Sequence, residues 1–118
     1  MTTKTNGGAG IKRAIEGRNS RILSSFYTDD ALLRVIDHSN PPSRPREVKG
    51  RAPIATFWDD ICSRAMIHEV DINIADERTI VFTQRCAYPD GMKVFCMSIV
   101  ELDGGRIARQ TAVQAWDE

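Results

Sequence analysis

The last third of the chain alternates apolar and polar residues almost without interruption, in three runs, TIVFTQRCAY, MKVFCMSIVEL and RIARQTAVQAW, joined at Pro89-Asp90-Gly91 and Asp103-Gly104-Gly105. Period-two alternation marks strands with two unlike faces, and Pro, Asp and Gly supply the backbone angles of tight hairpins. The pattern predicts a three-stranded antiparallel meander from Thr79 to Trp116. Counting back from the first turn puts Phe82, Gln84, Cys86 and Tyr88 on the face of Val94, Cys96, Ser98 and Val100. Thr83, Arg85, Phe95, Met97 and Ile99 share the opposite face, and a slip of one residue would exchange the two sets. Equal counting sets Cys86 and Cys96 diagonally across the hairpin, which disfavours a disulfide between them.

Upstream the period changes several times. Ile11, Ala14 and Ile15 recur at three and four between Ala9 and Gly17, which predicts a helix broken by Gly17-Arg18-Asn19. Asn19 or Ser20 then caps a second helix with Ile22, Leu23, Phe26 and Tyr27 on one face, ending at Thr28-Asp29-Asp30. ALLRVIDH returns to alternation, with Leu33, Val35 and Asp37 on one side and Leu32, Arg34, Ile36 and His38 on the other. SNPPSRPREVKGR holds three prolines and no periodicity, so it reads as a loop whose Arg44, Arg46, Lys49 and Arg51 form a solvated rim.

Pro53 suits the opening of a third helix, along which Ile54, Phe57, Trp58, Ile61, Cys62 and Ala65 make a broad apolar stripe. From Met66 to Ala75 period two is at its cleanest and places His68 among Met66, Val70, Ile72 and Ile74. Two helices, a strand, a loop, a third helix and four strands predict an α+β fold, with the helices gathered on one face of an antiparallel sheet.

A chain of 118 residues holds one domain, drawn here as residues 9–118 behind a polar, glycine-rich lead-in, residues 1–8, that is expected to be disordered. Sixteen basic residues balance sixteen acidic ones, which removes the electrostatic case for nucleic acid. No stretch is long and apolar enough to span a bilayer, and none has the length of a signal peptide, so a cytoplasmic location is expected. Three cysteines without a CxxC pair read as free thiols. Two histidines without a ligand cluster argue against structural zinc, and no cofactor is expected.

The phrases FYTDDALL, KGRAPIATFW and ELDGGRIARQTAVQAW, in this order, carry a family likeness. From about Ile11 to Trp116 the chain resembles the nuclear transport factor 2-like superfamily, which includes ketosteroid isomerase and the SnoaL-like polyketide cyclases. The resemblance implies a cone-shaped fold, a curved antiparallel sheet packed on three helices with a pocket between them, and a homodimer formed through the outer sheet face. On the same comparison the last strand turns Gln110, Ala112, Gln114 and Trp116 inward. In the isomerase group a carboxylate at the end of the first strand moves a proton beside a carbonyl, while a tyrosine and a protonated aspartic acid stabilise the enolate. Carried over, the base falls on Asp37. The tyrosine falls near Ile11 and the acid near Ser98, neither of which can serve, so steroid isomerisation by that route is rejected. The cyclases imply an acid and a histidine, here Asp37 with His68.

A structural role competes with each functional one. Asp37 as a general base needs apolar surroundings that lift its pKa, whereas the same residue before a Pro-rich loop commonly caps a turn. His68 as an acid or orienter competes with a core histidine satisfied by one hydrogen bond. Ser98, Gln114 and Trp116 want polar partners that a substrate could supply, or that the core could. Tyr27, Phe57, Trp58 and Cys96 belong to the core and would also line a pocket. The expected occupant is a small apolar organic molecule bearing a carbonyl or ring. Two functions stay open: a cofactor-free isomerase, cyclase or dehydratase, and a non-catalytic ligand-binding or dimerisation module. Phe95, Met97 and Ile99 suggest the pairing surface.

Overall fold

The computed structural model describes residues 6–117. In chain order the elements are α1 (Asn6–Glu16), α2 (Ser20–Ser25), β1 (Tyr27–Ile36), β2 (Arg46–Lys49), α3 (Arg51–Cys62), β3 (Ile67–Ala75), β4 (Thr79–Ala87), β5 (Lys93–Asp103) and β6 (Arg106–Trp116). The strands form one curved sheet in the order β2-β1-β6-β5-β4-β3, antiparallel throughout except where β1 runs parallel to β6. The fold is α+β, as the order of periodicities implies.

Helix α1 starts at Asn6, inside the stretch expected to be disordered; the rest of that stretch, residues 1–5, lies outside the described residues. Glycine weakens an isolated helix, but here it lets the helix backbone approach the sheet, since a Cβ at Gly8 would meet Ile72 Cγ2 at 3.1 Å. Ile11, Ala14 and Ile15 are all buried. Fully burying an isoleucine contributes about 1.5–3 kcal/mol, so this face outweighs the glycines. The helix ends where Arg18 turns left-handed, at φ 52°, and Asn19 N–H returns to the Ala14 carbonyl at 2.8 Å.

The second helix is shorter than its periodicity predicts. Asn19 caps it by accepting from Ile22 N–H at 3.1 Å, but the helix stops at Ser25, and Tyr27 to Asp30, expected as helix end and turn, already belong to β1. A partner distant in sequence decides this: Tyr27 pairs with Ile107 of β6, and Ile107 N–H donates to the Phe26 carbonyl at 2.7 Å. The loop reading of residues 39–51 also needs correction. Its middle is the edge strand β2, whose Val48 is buried opposite Leu33, while Arg46, Glu47 and Lys49 stay in solvent. Four residues are too few to show a period, and a short charged edge strand resists further pairing.

Gly50, at φ 93°, caps α3, a conformation that L side chains rarely adopt; its carbonyl accepts from Ile54 N–H at 3.1 Å. Helix α3 therefore opens at Arg51, two residues before Pro53. Ile54 and Trp58 are buried, Phe57, Ile61 and Cys62 are half-buried, and Ala65 lies beyond the helix in solvent. In β3 the alternation holds through Val70 and then shifts at a bulge between Ile72 and Ile74, which leaves Ile74 56% exposed instead of inward.

The meander follows the register expected of it. Phe82 pairs with Ser98, Gln84 with Cys96 and Cys86 with Val94, so the two cysteines are diagonal neighbours and all three cysteines are free. Gln110 and Ala112 are buried, and Gln114 and Trp116 half-buried, on the face that carries the helices. Phe95, Met97 and Ile99 of β5 and Val113 of β6 stand on the other face, each about half exposed.

Candidate functional site

A cavity of about 140 Å³ lies between α3 and the inner face of the sheet. Helix α3 and the turn after it supply Phe57, Trp58, Asp60, Ile61 and Arg64. The sheet supplies Val35 at the end of β1, His68 of β3, Gln84 and Cys86 of β4, Val94 and Cys96 of β5, and Ala112, Gln114 and Trp116 of β6; Asp37, Arg46 and Met66 complete the lining. Aromatic faces gather at one side. Trp116 stacks on Tyr88 at 6.0 Å between centroids and meets His38 edge-on at 6.1 Å, and its indole N–H donates to Gln114 Oε1 at 3.0 Å. Arg64 donates to Tyr88 Oη at 3.0 Å and pairs with Asp60, while Arg46 lies 5.1 Å over the Phe57 ring.

Asp37 and His68 line the same cavity, yet no hydrogen bond joins them among the described residues. Asp37 sits one residue past β1. Its Oδ1 accepts from the backbone N–H groups of Ser39 and Asn40 and from Asn40 Nδ2, each at 2.9 Å. That is the turn-capping role that competes with catalysis at this residue, and it engages one carboxylate oxygen only.

His68 is 5% exposed and stands opposite Cys86 in the β3–β4 register, with Nδ1 3.2 Å from Cys86 Sγ. Its Nε2 is buried without a hydrogen-bond partner, and no other buried side-chain nitrogen or oxygen among the described residues is in that state. The thiols around it are unlike one another. The hydrogen bond from the Cys96 thiol does most to hold Cys86 below the ordinary thiol range; burial opposes this, and the hydrogen bond and charge of His68 assist it. Cys96 is pushed up, first by that same hydrogen bond and then by burial. Burial also raises Cys62, with Asp59 adding to the effect.

Two of the expected site residues lie beneath the cavity and do not line it. Trp58 Nε1 donates to Tyr27 Oη at 3.1 Å, the Tyr27 hydroxyl donates to Gln110 Oε1, and Gln110 Nε2 donates to Ser98 Oγ at 3.1 Å. Tyr27 and Ser98 are each 1% exposed, and both are absent from the lining. Burial drives the Tyr27 pKa strongly upward, against the hydrogen bond from Trp58, so the phenol stays protonated. Phe57, Trp58, Cys96, Gln114 and Trp116 do reach the cavity. Alternation puts Cys86 and Gln84 on one face with Phe82, and the family resemblance makes that face the inner one; a cysteine opposite a histidine becomes visible only when β3 is paired with β4.

A family model described as a SnoaL-like domain matches residues 11–110. The chain belongs to the SnoaL-like family. Within the nuclear transport factor 2-like superfamily its fold is that of many solved structures. An NTF2-like protein of unknown function from Mesorhizobium loti superposes with a TM-score of 0.77 at 14% identity, over 95% of this chain and 93% of the other. A Delta 5-3-ketosteroid isomerase from Mycobacterium sp. gives 0.68 at 15% identity, over 94% and 95%. An LEH-like epoxide hydrolase from M. tuberculosis gives 0.67 at 17% identity, over 98% and 84%. No curated protein matches the sequence significantly. At these identities the SnoaL-like chain shares a fold with its neighbours, and its chemistry has to be argued from its own residues. No helix among the described residues is long and apolar enough to cross a membrane.

Proposed function

We propose that this SnoaL-like protein binds a small organic molecule of about single-ring size in the α3 cavity and performs cofactor-free acid–base chemistry on a carbonyl or ring within it. The observation that carries this reading is His68 Nε2, a buried nitrogen on a cavity-lining residue with no protein partner. Buried polar atoms are satisfied as a rule, so a ligand is the natural partner for this one. An imidazole can donate at one ring nitrogen and accept at the other, which suits it to give a proton to a bound oxygen or take one from carbon. Asp37 is the accompanying base, through Oδ2, which its turn leaves unengaged.

The size limit comes from volume, since a cavity of about 150 Å³ accommodates a benzene-sized guest and the one here is about 140 Å³. Gln114, whose Oε1 is fixed by the Trp116 indole N–H, is the polar group that would orient such a ligand through its amide nitrogen. Solved structures with this fold include a ketosteroid isomerase and an epoxide hydrolase, two different chemistries, which supports a reactive pocket without naming the reaction. The second reading, a binding module without catalysis, is favoured by the engagement of Asp37 Oδ1 in the turn. We further propose that copies of the chain pair through the apolar row Phe95, Met97, Ile99 and Val113, and that the protein works in the cytoplasm, where its three free thiols stay reduced.

Exchange of the α-protons of cyclohexanone in D2O, followed by NMR, tests the chemistry without knowing the substrate. The wild type is expected to accelerate exchange, and Asp37→Asn and His68→Asn to abolish the acceleration with the fold retained. Binding of cyclohexanone without faster exchange would establish the module reading, and acceleration unchanged in both variants would overturn the assignment of the two residues.

A further inference from the structure

We propose that Cys86 is a nucleophilic thiol that captures small α,β-unsaturated carbonyl compounds in the cavity, with His68 as its proton partner. The proposal rests on the cavity reading above for ligand access and adds a covalent step to it. Three observations converge on the residue. Its Sγ lies 3.2 Å from His68 Nδ1, across a directly paired position of β3 and β4. Cys86 and His68 both line the cavity, so the pair meets whatever enters it. The other nitrogen of His68 is buried without a partner, which leaves it for the oxygen of a bound carbonyl.

The thiolate is the reactive form of cysteine, and a neighbouring imidazole together with a donor thiol favours it. Of the three free cysteines Cys86 is the one that stands against an imidazole, and Cys96 and His68 hold it low, while burial pushes Cys62 up. The step balances without an oxidant. The Cys86 thiol proton passes to His68; the sulfur lone pair forms a bond to the β-carbon, and the alkene π pair moves to an enolate whose oxygen accepts from the imidazolium. The enolate then takes the proton back at its α-carbon. The net change is addition of S–H across C=C, and His68 returns to neutral.

2-Cyclohexen-1-one, a ring-sized enone, is the probe. At pH 6 intact-mass analysis and peptide mapping are expected to find one adduct, on Cys86, before any on Cys62 or Cys96. Cys86→Ser should lose it, and His68→Asn should slow it about tenfold or more with an unchanged circular dichroism spectrum. The wild-type rate should hold to well below the ordinary thiol range, because Cys96 and His68 hold Cys86 low among the charges of Asp37, Arg46, Asp60 and Arg64 that share the cavity. Modification of Cys62 first, or a midpoint at the ordinary thiol value of about 8.5, would overturn the proposal. Saturated cyclohexanone separates the two readings. If it shifts the Trp58 and Trp116 indole resonances while the enone forms no adduct, the thiol proposal falls and the cavity reading stands. If neither compound binds or reacts, both fall.

Discussion

Tyr27 shows how a single hydroxyl organises the floor beneath the cavity. It accepts from Trp58 and donates to Gln110, which in turn holds Ser98, so one side chain joins α3, β1, β6 and β5. Tyr27→Phe keeps the ring and leaves the Trp58 N–H and Gln110 Oε1 unpaired in a buried site. The expected loss is about 1–3 kcal/mol of stability, measured as a lower urea midpoint with an unchanged slope. A gain in stability would mean that the two orphaned groups find partners by local repacking. Asp37 presents the opposite case. Because its turn accepts three donors on one oxygen, Asp37→Asn retains a carbonyl oxygen for them, so the variant tests proton transfer separately from loop structure.

At the scale of elements, α1 is fastened to β3 by a polar clasp as well as by its apolar face. Glu16 Oε2 accepts from Val70 N–H at 2.8 Å and from Lys12 Nζ at 2.7 Å, and Lys12 also donates to the Val70 carbonyl at 2.6 Å. The Lys12 hydrogen bond first, and the Val70 N–H second, hold the Glu16 carboxyl below its ordinary value of 4.5. A carboxylate whose folded pKa lies below its unfolded one adds stability above the unfolded value and loses it as pH falls through the folded value. Glu16→Gln should therefore cost about 0.5–1 kcal/mol at neutral pH, an amount kept small because the pair is part-exposed. The difference from wild type should vanish in urea titrations carried well below pH 4.5; a constant difference across pH would remove the charge from the explanation. This clasp could not be read from the chain, because Glu16 and Lys12 look like an ordinary helix pair until Val70 is brought beside them.

For the whole molecule, the two sheet faces divide the labour. The inner face is covered by helices and encloses the cavity, while the outer face carries Phe95, Met97, Ile99 and Val113, of which Met97 and Val113 are directly paired across β5 and β6. A contiguous apolar row of this kind on a sheet face is the reason for the pairing proposal. If copies pair there, the wild type should sediment as a dimer and Met97→Glu as a monomer. The charge sits on an exposed position, so the thermal stability of the separated chain should stay within about 0.5 kcal/mol. A monomeric wild type at high micromolar concentration would end the pairing proposal.

What the sequence determined by itself was what repeats locally: the three strands of the meander and their turns, the apolar stripes of α1 and α3, and the placement of His68 among apolar residues of one strand face. The choice of the meander's inner face leaned also on the family resemblance. Period and turn chemistry are properties of neighbouring residues, and they survive without knowledge of the rest of the chain. Tertiary structure decided what depends on partners distant in sequence. It converted Tyr27 to Asp30 from helix end and turn to strand because β6 offered backbone partners, drew β2 out of a proline-rich loop to cover β1, and shifted the phase of β3 at Ile74. It also brought together the cavity lining, in which a histidine and a cysteine 18 residues apart come to lie 3.2 Å apart only when β3 folds against β4. Long-range pairing has no local signature, and for that reason the chemistry of this cavity had to be read from the folded molecule.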